Sequence, residues 1–80
     1  MTAGEPFILY TRTDCHLCGL AVEMLESTGI DWRPVDIDSD PELVRKYGTH
    51  VPVVSHPVSR RELFFPFDAE RLLLFCRGER

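Results

Sequence analysis

Cys15-His16-Leu17-Cys18 places two thiols three residues apart, directly after an apolar run and at the opening of a helical pattern. If Cys15 occupies the first turn of a helix, Cys18 stands about one turn above it, close enough for the two sulfurs to bond. That spacing supports a reversible disulfide. The free N–H groups and dipole of a helix start favour a thiolate at Cys15 over one at the better buried Cys18. Cys15 is therefore the expected attacking sulfur, and Cys18 the one that resolves the mixed disulfide and leaves an intramolecular bridge. Arg12 adds positive charge beside the pair, Asp14 opposes it, and a protonated His16 favours the thiolate.

Other chemistries fit less well. Tetrahedral zinc needs four ligands, and beyond the pair only Cys76, His16, His50 and His56 remain, with no second matched pair, so no metal is expected. Cys76 reads as a small apolar residue on a terminal helix. Asp68 reads first as a helix cap worth about 1 kcal/mol. Trp32 reads as an ordinary edge-strand aromatic.

The elements that must hold the dithiol follow from short-range pattern. Residues 7–10 form an unbroken apolar run, as for a central strand covered on both faces. Leu17, Leu20 or Ala21, Met24, Leu25 and Thr28 recur at helical spacing, with Gly29 as the stop. Residues 32–37 read as a strand at a sheet edge, because Pro34 would cost a central strand a ladder bond. Ser39 or Asp40 caps a short helix with Pro41 in its first turn, ended by Gly48. Residues 51–54 and 62–65 make a hairpin across a polar connection. A last helix runs from Ala69 to about Arg77, with Ala69, Leu72, Leu73 and Cys76 on one face.

That order, β-α-β-α-β-β-α, predicts a four-stranded mixed sheet with helices on both faces, its first two strands parallel through a right-handed crossover. The dithiol then lies at the carboxyl end of the first strand, where open α/β sheets place their sites.

Eighty residues make one domain over 1–80, near the size at which a single core only just suffices. A formal net charge of −4 gives no basic footprint for nucleic acid or anionic lipid. No cationic leader, membrane-length apolar run or lipidation motif stands out, so a cytoplasmic monomer is expected. Three cysteines with one close pair suit a reducing compartment better than a stapled secreted domain.

The strand ending in Tyr10, the segment Thr13-Asp14-Cys15-His16-Leu17-Cys18, the Val51-Pro52 step and the Asp68-capped helix together resemble glutaredoxin, within the thioredoxin fold. The resemblance runs from about Glu5 to Arg77. It is nearest to short bacterial glutaredoxin-like proteins of mostly unassigned substrate, whose hairpins lead into a step like Pro66-Phe67-Asp68. It implies a disulfide oxidoreductase with strand order two, one, three, four and no bound cofactor. Carried over, Pro52 is a cis proline facing the dithiol and Val51 offers its backbone to a peptide or to glutathione. His50 replaces a threonine common there and brings a titratable group. Arg12 and Asp68 match groups that hold glutathione, whereas Pro66-Phe67 replaces the glycine pair that admits its backbone.

The implied substrates are a disulfide-containing protein or a glutathione mixed disulfide, and the implied reductant is glutathione or a reductase-linked thioredoxin system. Two alternatives stand beside this: a binding module of the same fold with a regulatory dithiol, and a metal-binding protein.

Overall fold

The computed structural model describes residues 5–78. Along the chain run strand β1 (Phe7–Thr11), helix α1 (His16–Thr28), strand β2 (Trp32–Asp36), a 3-10 turn (Ile37–Ser39), helix α2 (Pro41–Tyr47), strands β3 (Val53–Ser55) and β4 (Glu62–Phe64), and helix α3 (Ala69–Cys76). The four strands form one sheet in the order β2-β1-β3-β4. β1 pairs parallel with β2 and antiparallel with β3, and β3 pairs antiparallel with β4. This is the mixed, thioredoxin-like α/β sheet that the element order implies.

Strand register sorts the side chains onto two faces, because alternate residues of a strand point to opposite sides. The row Pro34, Leu9, Val54, Leu63 runs across all four strands on one face. There Leu9 and Val54 pack with Ala21 and Leu25 of α1 and Leu72 and Phe75 of α3 into the larger core. The row Val35, Tyr10, Val53, Phe64 lies on the other face. There Tyr10 and Val53 meet Ile37 and the α2 residues Leu43, Val44 and Tyr47 in a smaller cluster. Tyr47 stacks on Tyr10 with ring centroids 4.4 Å apart, and its hydroxyl bonds Glu62 of β4.

Local chemistry sets the helix ends. Gly29 closes α1 at φ 74°, where a side chain would be strained. Asp40 caps α2 by accepting from the Glu42 N–H at 2.9 Å, and Asp68 caps α3 by accepting from the Arg71 N–H at 2.8 Å. The Val51-Pro52 and Phe65-Pro66 bonds are both cis.

Several details depart from the sequence pattern. β1 is not uniformly covered: Leu9 is fully buried while its neighbours are only partly so, since short α2 shields just part of its face. β2 ends at Asp36, and Ile37 instead reaches the α2-side cluster from the 3-10 turn, whose N–H of Asp38 is held by the Asp36 side chain. Ser39 thereby belongs to that turn, leaving Asp40 as the helix cap. β3 begins at Val53, two residues later than its apolar run, and β4 ends at Phe64. α1 buries Cys18, Ala21 and Leu25, not Leu17, which is 43% exposed, nor Leu20. α3 stops at Cys76 and buries Leu72 and Phe75, with Ala69 exposed.

Candidate functional site

Cys15 is itself the N-cap of α1, one position outside the first turn where the spacing puts it. Its backbone is extended, at φ −101° and ψ 103°, and its sulfur accepts a hydrogen bond from the Cys18 N–H at 3.1 Å. A cysteine here therefore does the work of a Ser or Asp cap. Cys15 and Cys18 are joined as a disulfide, with their Cα atoms 5.2 Å apart. Cys15 is partly exposed, whereas Cys18 is 5% exposed and faces the core side of α1. One sulfur is thus reachable and the other shielded.

Asp14, just before the cap, has φ 61°, a left-handed conformation that Asp tolerates better than most residues. An open depression at this end of the sheet is lined by Arg12, Asp14, Cys15 and His16. Arg12 does not stand free beside the sulfur, as its type alone would have it. Its Nε and Nη2 donate to Asp38 at 3.1 and 2.8 Å, and its Nη1 donates to the Gly48 carbonyl at 3.4 Å. The fork-to-carboxylate geometry raises the Arg12 pKa and holds Asp38 below the usual carboxylate value.

Of the other expected site residues, His16 lines this depression, whereas His50, Val51, Pro52 and Asp68 do not. His16 and Asp68 are exposed. His50 is exposed too, edge-on to Phe64 at 6.0 Å. The Val51 side chain packs on the Ile37-Tyr47-Val53 cluster. Its backbone N–H and C=O make no hydrogen bond to a described residue, while the Pro52 carbonyl accepts from the Phe65 N–H at 3.3 Å. No motif marks Asp38, because it becomes relevant only when the turn after β2 folds back on Arg12, 26 residues away.

Away from the dithiol, Cys76 is half-buried against the larger core, and burial pushes its thiol up to about 11. Trp32 packs on that same core. Among the described residues no three His, Cys, Asp or Glu side chains converge as a metal cluster, and no helix is long and apolar enough to cross a membrane.

A parallel-antiparallel sheet in this order, with a dithiol at the start of the first helix, defines a glutaredoxin-like protein of the thioredoxin fold. The chain belongs to the glutaredoxin-like domain family (DUF836), whose family model matches residues 7–74. The X-ray structure of protein XcR50 from X. campestris is similar, with 43% identity and a TM-score of 0.83 over 92% of this chain and 99% of that one. The solution structure of XcR50 covers 95% of this chain and 97% of that one at TM-score 0.81 and 40% identity. Protein Ne2328 from Nitrosomonas europaea shares the fold, at TM-score 0.71 and 24% identity over 94% of this chain and 96% of that one. No curated protein matches the chain.

Proposed function

We propose that this protein is a thiol-disulfide oxidoreductase in which Cys15 attacks and Cys18 resolves. The observation that carries this is the asymmetry within one bonded pair: a reachable sulfur that caps α1 and accepts an N–H, and a buried partner three residues on. In the reduced protein the Cys15 thiolate attacks a substrate disulfide, and the first substrate sulfur leaves and takes a proton from water. Cys18 then loses its proton to solvent and attacks the Cys15 sulfur, expelling the second substrate thiol. The substrate gains two electrons and two protons, and the dithiol becomes the disulfide. A thiol reductant, glutathione or a thioredoxin-system dithiol, reverses that last change, and no bound cofactor is needed.

A disulfide-bearing protein is the better substrate. Arg12 is engaged by Asp38, and Asp68 by the Arg71 amide, so glutathione would have to displace a contact to use either. An extended peptide needs only the uncommitted backbone groups of Val51 beside Pro52. The chemistry suits a reducing compartment such as the cytoplasm.

The test is a pair of variants assayed on a model protein disulfide. Cys15→Ser should abolish reduction, and Cys18→Ser should accumulate a mixed disulfide visible as added mass. Equal residual turnover in the two would overturn the assignment of roles.

A further inference from the structure

The α2 face of the sheet carries a second row of side chains that α2 does not cover. Register aligns Arg33 of β2, Ile8 of β1 and Ser55 of β3 in that row, one step toward the amino end of β1 from Tyr10. α2 has seven residues, about 10 Å of helix, and its apolar contacts go to the Tyr10 row. Beyond it lies a cleft of about 320 Å³, floored by Ile8 and Tyr10 and bordered by Arg33, Ser55 and Arg60, at the opposite end of β1 from the dithiol. That volume is at the lower end of the range for small-molecule sites.

Neither Arg33 nor Arg60 forms an ion pair among the described residues, and the Ser55 hydroxyl makes no hydrogen bond there. Glu5 lines the cleft as well, and Glu62, across from Ser55 in the same row, is paired with Lys46 at 3.4 Å; two guanidinium groups against the one lining carboxylate leave one positive charge in excess. The turn that presents Arg60 is tightly built. The His56 Nδ1 accepts from the Val58 and Ser59 N–H groups, and Arg60 N–H donates to the His56 carbonyl at 3.1 Å. Arg60 itself sits at φ 63°, where glycine would be unstrained. A long cationic side chain kept in that conformation carries a local backbone cost.

We propose that this cleft binds a compact organic anion, its apolar body on Ile8 and Tyr10 and its terminal oxyanion held by Arg33, Arg60 and the Ser55 hydroxyl. The site is independent of the thiol chemistry. Its test is an amide-resolved NMR titration of the intact protein with benzoate, phenyl phosphate and neutral benzamide. Saturable shifts at Ile8, Arg33 and Ser55 with either anion, and none at Cys15, are expected; the better anion identifies carboxylate or phosphate as the head group. Arg33→Met together with Arg60→Gly should weaken binding by at least about tenfold. Arg60→Gly alone should raise the Tm by relieving the backbone while weakening the anion, a split that a purely structural arginine would not show. No saturable shift with either anion, equal binding of benzamide, or unchanged affinity in the double variant would overturn the proposal.

Discussion

At the scale of residues, the three cysteines differ by environment. Cys15 caps a helix and accepts an N–H, Cys18 is buried, and Cys76 lies half-buried among apolar side chains. Burial raises the folded Cys76 value from 9.0 to about 11, so the fold favours its protonated form. That preference contributes stability fully below the unfolded value and loses it as pH rises toward the folded one. In the reduced protein near neutral pH, iodoacetamide should modify Cys15 first and leave Cys76 largely intact until the chain is unfolded in urea. Mass spectrometry of the peptides reads the order. A Cys15 that reacts no faster than an unperturbed thiol would favour a binding module whose dithiol is regulatory.

At the scale of elements, the helix ends show which local signals can be separated from packing. Gly29 is in the left-handed region, and a Cβ there would meet nothing within 4 Å, so Gly29→Ala tests backbone strain alone. It should cost about 1 kcal/mol in urea unfolding. Asp68→Ala removes the α3 cap and should likewise cost about 1 kcal/mol. If turnover on a protein disulfide is unchanged in Asp68→Ala, the carboxylate serves only as a cap; a raised KM for glutathione would assign it to ligand binding. α1 illustrates where periodicity stops being informative. Leu17 and Leu20 fit a helical stripe as well as Cys18 and Ala21 do, but an apolar stripe can be drawn on either side of a short helix. Packing against Leu9 and Leu72 selects the Cys18-Ala21-Leu25 side, which buries the second sulfur.

At the scale of the whole molecule, stability is small and spread over two clusters. A domain of this size has about 4–12 kcal/mol in total. Leu25→Ala, at a fully buried position between α1 and the sheet, should cost about 2–5 kcal/mol and lower the urea midpoint sharply. The Arg12–Asp38 pair joins the end of β1 to the turn after β2. Because the folded Asp38 value is lowered from 3.8, its contribution is present above that value and fades as pH falls through the folded one. Asp38→Asn should therefore lower the urea midpoint slightly near neutrality and converge on the parent protein as pH falls through the folded Asp38 value, flattening the acid limb of the stability profile.

The sequence alone determined the order of elements, the edge position of β2, the cap at Asp68 and the dithiol, since each rests on residues within a turn or two of one another; it left the α2 cap between Ser39 and Asp40, and the 3-10 turn decided for Asp40. Family membership follows from the same linear pattern. Only the tertiary structure decided that Arg12 is spent on Asp38, that α1 turns Cys18 rather than Leu17 inward, and that α2 is too short to cover Arg33, Ile8 and Ser55. Those outcomes depend on strand register and on partners distant in the chain, which local propensity does not encode. Cys15-Cys18 could be read as a spaced pair from four residues; its division into a reachable and a buried sulfur exists only once α1 is laid against the sheet.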